Sequence, residues 1–241
     1  MPEYRTHRYV EHPQMGVRYL ADYMAASERA KRRIVLHSKY RPLAKVIQHK
    51  EAVSAVSKFL REGDHDIGWL HEEAEKLRNR LADDDFERDV MDHNADYLAR
   101  FAEVFGVLKM PKADIMPPGP FAAIDIHGIK VTVGLSLRLR RVTKTNKVRE
   151  GAAMLRYAKG KTLPAEAGAW QSAFLFGFLR ETSVDQNIDP ELGLCLTIDA
   201  YAGIAHPAPT NTVSRFQNMK AACQSISERW PNIDPPPGAI F

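Results

Sequence analysis

The feature that most constrains the fold is an alternating segment that leads into a run of basic residues, over positions 129–161. In its first third, polar residues alternate with five apolar ones: Val131, Val133, Leu135, Leu137 and Leu139. A period of two predicts one half-buried β-strand here. The short polar segment 143–146 (TKTN) predicts a hairpin loop, and a second strand should follow at about 148–158, closed by Gly160.

The end of this segment carries an unusually one-sided charge. It holds nine basic residues and a single acid, Glu150; the basic residues are Arg138, Arg140, Arg141, Lys144, Lys147, Arg149, Arg156, Lys159 and Lys161. Solvated strand faces usually mix the two signs, so this run indicates where an anionic partner could bind. It does not by itself indicate a reaction.

Composition sets broad limits. With 241 residues and 44% hydrophobic residues, the chain can build a substantial core. A net charge of +4 and a pI near 9.0 permit a nucleic-acid partner without requiring one. Cys195 and Cys223 are too far apart for a CxxC metal site, which favours reduced core cysteines. Without an apolar run of transmembrane length or a signal-peptide core, the sequence predicts a soluble, cytoplasmic protein with no membrane partner.

The first 108 residues are predicted to form a helical region. Residues 1–13 have no clear period and should be a loose arm, after which apolar residues recur at helical spacing from Gln14 to Leu60. Pro42 should interrupt the helices, and the next helix has an apolar stripe that includes Leu43, Val46, Ile47, Ala52, Val53, Val56 and Phe59. Residues 63–66 form a linker, one or two charged helices follow over 67–105, and the acids at 83–85 should break or cap them.

A proline-rich linker at residues 109–120 (KMPKADIMPPGP) marks the predicted boundary. Four prolines and a glycine in twelve residues exclude helix and central strand. Residues 121–233 are predicted to form a sheet domain, and residues 234–241 a proline-rich tail. The predicted elements are a strand at 121–126, a turn at 127–128, the two strands above, a buried helix at 163–182, a polar loop at 185–193, a buried strand at 194–201 and a last helix from Thr210 or Asn211 to Trp230.

This order of elements predicts an α+β fold, in which a helical region precedes a β-β-β-α-β-α domain. Three successive strands should form a meander, and the helix should cross over to return a fourth strand to the sheet. The order resembles the core of the PD-(D/E)XK nuclease superfamily over residues 121–201. The fragment from Arg156 to Lys161 (RYAKGK), followed by Gln171 in an aromatic helix, resembles the RecB-like branch, in which a strand ends in Asp-Tyr-Lys-Thr-Gly-Lys and the next helix carries a glutamine.

The chain departs from that family where catalysis would occur. The family's acid on the third strand falls on Arg156 and its lysine on Ala158, and its acid on the second strand falls near Ser136 or Leu137. Mg²⁺ requires hard oxygen ligands, which arginine and alanine do not supply. The resemblance therefore implies a nuclease-like fold without a catalytic metal, and we expect no cofactor.

Three functions remain open. The first is nucleic-acid binding through phosphate contacts, without cleavage, by Arg138, Arg140, Arg141, Lys144, Lys147, Arg149, Arg156, Lys159, Lys161 and Gln171. The second is an Mg²⁺- or Mn²⁺-dependent deoxyribonuclease whose acids have moved, with Asp125, Glu150, Lys159 and Lys161 as its catalytic residues; surface salt bridges are the simpler interpretation of these acids and of Glu166.

The third function is a protein-interaction module. Its arginine-rich face would bind an acidic partner or the chain's own acids around residues 83–85, and the helical N-terminal region, with the basic run 29–33, could also bind a protein. A metal site at His65, His71 and Glu75 is a further, weaker hypothesis. The sequence contains neither a Gly-x-Ser-x-Gly elbow nor a phosphate-cradling glycine loop.

Overall fold

The computed structural model describes residues 5–43, 48–183 and 188–241, and it shows an α+β fold with mixed sheets. Its helices are α1 Val17–Ala25, α2 Glu28–Lys39, α3 Lys50–Glu62, α4 Ile67–Asn79, α5 Asp85–Val104, α6 Ala165–Thr182 and α7 Thr212–Arg229. Its strands are β1 His7–Tyr9, β2 Gln14–Gly16, β3 Tyr40–Pro42, β4 Asp114–Met116, β5 Ala122–Ile126, β6 Ile129–Val133, β7 Leu137–Val142, β8 Val148–Arg156, β9 Ile188–Pro190, β10 Leu196–Asp199 and β11 Ile204–Pro207.

The main sheet has six strands and is centred on β8. Its order is β11-β10-β8-β7-β4, and β9 also pairs with β8. Strands β7 and β8 form the predicted antiparallel hairpin, with Arg140 opposite Glu150. The chain then runs through α6 and returns as β10, which lies parallel to β8. This βαβ crossover confirms the predicted return of a strand to the sheet after the helix.

The main sheet separates two hydrophobic clusters. On one side, Leu137, Leu139 and Ala153 pack with the helices α3, α4 and α5. On the other side, Ala152 packs with α6 and with residues of α1, α2 and α7. Because alternate residues of a strand point to opposite faces, both faces of β7 and β8 are covered by helices. The architecture is therefore helix, sheet, helix, with a smaller sheet on the α7 side.

The long alternating segment is not one strand, which corrects the sequence prediction. Residues 129–133 form β6 in a three-stranded sheet of order β2-β6-β5, whereas β7 belongs to the main sheet. Val131 and Val133 therefore pack in a different cluster from Leu137 and Leu139. Alternation of apolar and polar residues could not reveal the end of β6. It continues through residues 134–136, where the chain passes from one sheet to the other. The predicted single meander is wrong for the same reason.

Short strands also occur where none was predicted. In the N-terminal arm, β1 pairs with β3, and β2 pairs with β6 across the predicted domain boundary. Within the proline-rich linker, β4 pairs with the edge of β7, a position that tolerates nearby prolines. The tail is attached to the arm, since Thr6 N donates to Ile240 O at 2.9 Å.

Several helix boundaries follow local rules. The side chains of Asp66 and Asp84 accept hydrogen bonds from the backbone N–H groups of Trp69 and Glu87 and so cap α4 and α5. This confirms the predicted cap within residues 83–85. The predicted strands and helices at 121–126, 148–158, 163–182, 194–201 and the C-terminus are present with small shifts of their ends.

Parts of two predictions lie outside the described residues. They are Val46 and Ile47 of the apolar stripe and the start of the predicted loop 185–193, whose later part contains β9. Both cysteines are buried and unpaired, as predicted, and burial raises the pKa of each thiol to about 12. Among the described residues, none of the helices combines the length and the apolar character needed to cross a bilayer.

Candidate nucleic-acid interface

The tip of the β7–β8 hairpin presents basic side chains on a well-defined loop. Thr143 N donates to Lys147 O at 2.9 Å, and Lys147 N donates to the Thr143 hydroxyl at 3.1 Å. Asn146 adopts a left-handed conformation with φ 57°, which asparagine tolerates better than most residues. Lys144 and Lys147 are exposed at this tip. The predicted hairpin loop is therefore confirmed, and it carries two exposed lysines.

Five of the nine predicted basic residues are neutralised by acids of the same chain. The ion pairs are Arg138 with Glu150 at 3.2 Å, Arg149 with Asp189 at 2.8 Å, Arg156 with Asp22 at 2.9 Å, Lys159 with Asp96 at 2.7 Å, and Arg141 with Glu191. A cation already paired with a carboxylate has less to gain from a phosphate, because the pair must first separate. The ion pairs reduce the predicted basic surface by more than half.

The remaining four cations do not lie together. Within the described part of the chain, Arg140, Lys144, Lys147 and Lys161 form no ion pair. Lys144 and Lys147 lie at the hairpin tip and Arg140 lies within β7, opposite Glu150, but Lys161 follows the opposite end of β8. At about 3.4 Å per residue, the nine residues of β8 separate these ends by roughly 27 Å. The predicted surface is therefore divided into two places.

Arg156 and Gln171 lie inside the protein. Arg156 is 8% exposed and Gln171 is fully buried. The Arg156 guanidinium donates to both oxygens of Asp22, at 2.9 and 3.0 Å, and to Gln171 Oε1 at 3.2 Å. Burial lowers the pKa of Arg156, and the Asp22 carboxylate opposes that shift. These two residues join β8 to α1 and α6 and do not form part of an exposed phosphate-binding surface.

The residues at the positions where the predicted resemblance would place metal ligands do not fit a metal ion. Ser136 Oγ accepts a hydrogen bond from Leu155 N at 3.0 Å, Leu137 is buried and apolar, and Arg156 brings a positive charge to the third position. Two carboxylates lie near Arg156, and both are engaged: Asp22 by Arg156 itself, and Asp199, opposite Arg156 on β10, by the backbone N–H groups of residues 163, 201 and 202. Hard divalent cations need several oxygen ligands, so this arrangement does not supply a site.

The relocated acids of the nuclease alternative are not brought together. Asp125 lies on β5 in the smaller sheet and accepts a hydrogen bond from Gly128 N at 3.1 Å. Glu150 is buried near the hairpin end of β8, whereas Lys159 and Lys161 follow its other end. Among the described residues, the one group of three side chains close enough to hold a metal is Glu62, Asp64 and His65, without His71 or Glu75.

A small pocket of about 260 Å³ lies beside Arg138, Arg140 and Glu150. It also borders Leu179 and Thr182, at the C-terminal end of α6. The partial negative charge of a helix C-terminus and the buried Glu150 carboxylate both disfavour an anion there. The pocket is therefore a poor phosphate site.

A cleft with a volume of about 830 Å³ lies beside α2. Its rim includes Arg29, Arg32 and Arg33, which are exposed. Lys31 donates to Glu28 at 2.8 Å, and this bond, aided by Arg229 and Arg32, lowers the pKa of the Glu28 carboxyl. We call this cleft the α2 cleft.

Charge is unevenly distributed along the chain. Residues 1–50 contain eleven Lys or Arg and four acids, whereas residues 51–108, which include α3 to α5, contain fifteen acids and seven Lys or Arg. Because α1 and α2 pack on the opposite side of the main sheet from α3 to α5, the molecule has a basic side and an acidic side. A polyanion is expected to approach the basic side.

Sequence reasoning missed the acids that neutralise the strands. These acids come from segments far from 138–161 in the chain, and no local pattern marks them as partners; they are Asp22, Asp96, Asp189 and Glu191.

The chain matches no model of a known protein family and no curated protein.

Proposed function

We propose that the protein binds nucleic acid through phosphate contacts at the β7–β8 hairpin tip and does not cleave it. The observation that carries this proposal is the pair of exposed lysines at the tip, Lys144 and Lys147, which form no ion pair within the described structure. Such contacts position a nucleic-acid backbone and carry no base-sequence information. Binding through phosphate contacts alone should therefore show no sequence preference.

The test is a fluorescence anisotropy titration of short labelled single- and double-stranded DNA, with EDTA present. If two phosphates of a duplex are neutralised, the logarithm of affinity should fall with the logarithm of salt concentration with a slope of about −1.8. Between 50 and 200 mM salt, affinity should then weaken roughly twelve-fold. Absence of binding at the lower salt concentration would contradict the proposal.

A double charge reversal tests whether the DNA contacts the hairpin tip. Lys144→Glu with Lys147→Glu should abolish most of the binding and flatten the salt dependence. The matched control is Lys50→Glu with Lys130→Glu, which changes net charge equally at two exposed positions outside the hairpin. Equal losses in both variants would show that net charge, and not the hairpin tip, determines binding.

The alternative of a metal-dependent nuclease is tested with the same DNA. Addition of millimolar Mn²⁺ or Mg²⁺ in place of EDTA should leave the labelled strand intact, because the aligned positions lack carboxylates. Cleavage that persists after purification and is lost in Glu150→Gln would replace our proposal with the nuclease function.

A further inference from the structure

We propose that the α2 cleft binds the acidic turn between α4 and α5 of a second copy of this chain, so that copies associate head to tail. This inference is independent of nucleic-acid binding, because it concerns a different surface. It rests on the shape and charge of two features that lie on opposite sides of the same molecule.

The α2 cleft has the properties of a site for an acidic segment with an apolar side chain. Its volume of about 830 Å³ lies within the usual range of binding pockets. Side chains of Val35, Leu36 and Ile233 contribute apolar surface. Its arginine rim, Arg29, Arg32 and Arg33, forms no ion pair among the described residues, and the one acid in the cleft lining, Glu28, is paired with Lys31. An incoming carboxylate would therefore not have to break an ion pair of these arginines.

The turn at residues 81–85 (LADDD) is the complementary feature. Leu81 is 93% exposed and is the most exposed of the large hydrophobic side chains in the described structure. Three exposed acids follow it directly, at positions 83, 84 and 85. The backbone is fixed, because Asp84 caps α5 and Asp83 N donates to Glu87 Oε2 at 2.7 Å. A preformed turn loses little conformational entropy on binding.

The turn cannot reach the cleft of its own molecule. The helices α4 and α5 pack on one side of the main sheet, and α2 packs on the other. The contact must therefore join two copies through different surfaces, and such a heterologous contact can repeat from copy to copy. One leucine and a few screened ion pairs make a weak contact, which should form at high protein concentration and low salt.

Sedimentation velocity of the full chain, freed of nucleic acid, tests this association. The sedimentation coefficient should rise with protein concentration at about 0.05 M salt, and the rise should be lost at about 0.5 M salt, where charges are strongly screened. Leu81→Ser should weaken association at least about tenfold by removing the apolar contact. Arg32→Ser with Arg33→Ser should do the same from the other side. All three positions are exposed, so unchanged thermal melting serves as the control for folding.

Mixing the variants separates a head-to-tail contact from other modes. Each variant alone should be monomeric, but the turn variant retains the cleft and the cleft variant retains the turn. Their equimolar mixture should therefore form a one-to-one dimer that does not grow further. A monomeric wild-type chain at low salt, variants that associate normally, or a mixture that stays monomeric would each overturn the proposal. Binding of DNA at the cleft of a monomeric chain would overturn it as well.

Discussion

At the scale of single residues, Arg156 forms a structural ion pair inside the protein. Its guanidinium lies between the Asp22 carboxylate and the Gln171 amide, and it is 8% exposed. Because burial of an unpaired charge is costly, the charged form of Arg156 is stabilised by Asp22, and that of Asp22 by Arg156. The resemblance predicts an arginine here in place of the acid that would bind a metal. In the structure, this arginine joins β8 to α1 through Asp22 and to α6 through Gln171.

Replacement of Arg156 should therefore destabilise the fold. Arg156→Ala leaves Asp22 partly buried without its cation and Gln171 Oε1 without its donor, so we expect a loss of about 2 kcal/mol in the free energy of unfolding, measured by urea denaturation. The control Arg149→Ala breaks an exposed pair with Asp189 and should cost less than about 0.5 kcal/mol. Equal losses in the two variants would argue against a structural role for the buried pair.

Two half-buried histidines should make stability depend on pH. Burial lowers the pKa of His49 and of His206 below the usual value of 6.5. A group with a lowered folded-state pKa binds fewer protons when folded, so its stabilising effect is complete above pH 6.5 and is lost as the pH falls toward the folded-state pKa. We expect the urea midpoint to decrease between pH 7.5 and pH 5.5.

The variant His49→Phe tests how much of the pH dependence of stability comes from His49. It keeps an aromatic ring against Tyr97 and Tyr157, which His49 contacts edge-on, but it cannot be protonated. The decrease in midpoint on acidification should become smaller. His71→Gln removes an exposed histidine from α4 and should leave the decrease unchanged; the same reduction in both variants would rule out burial as the cause.

At the scale of elements, β8 is fixed by contacts on every side. It pairs with β7, β9 and β10, and the segment around Leu194 passes directly against Gly151. A Cβ atom at Gly151 would lie 2.1 Å from Leu194 O, which is a backbone atom and cannot rotate away. The strand therefore requires glycine at this position because of a close approach.

Gly151→Ala should destabilise the protein by about 3 kcal/mol, because the clash must be relieved by shifting a buried backbone. Gly134→Ala is the matched control: it lies just before β7, and a Cβ there meets no atom within 4 Å. Thermal or urea unfolding of the two variants measures the difference. A Gly151→Ala protein as stable as the control would show that the strand and the 192–194 turn can separate easily.

At the scale of the whole molecule, the proline-rich segment 109–120 joins parts that share one core. The helix α1 packs against α6, β2 pairs with β6, and β4 within this segment extends the main sheet. Residues of α1 and α2 belong to the same hydrophobic cluster as those of α6 and α7. The division into residues 1–108 and 121–233 remains a prediction, which a truncation can test.

A truncated chain of residues 109–241 should fail to fold stably. Removal of α1 and α2 would expose the apolar face of α6, and removal of α3 to α5 would expose one face of the main sheet. Far-ultraviolet circular dichroism and proteolysis should show a poorly structured fragment, while the full chain unfolds in a single transition. A cooperative, protease-resistant fragment would instead establish an independent C-terminal domain.

The sequence by itself determined those features that depend on neighbours in the chain. Its helical spacing, the aspartates at helix starts, the polar hairpin loop and the buried helix α6 all follow from local pattern, and the α+β class follows from their order. Tertiary structure decided the rest. Alternation could not reveal that β6 and β7 belong to different sheets, because a strand's period is the same on either side of a break. Nor could it reveal the partners of Arg141, Arg149 and Lys159, since electrostatic pairing depends on distance in space, and acids far along the chain come within 3 Å only after folding.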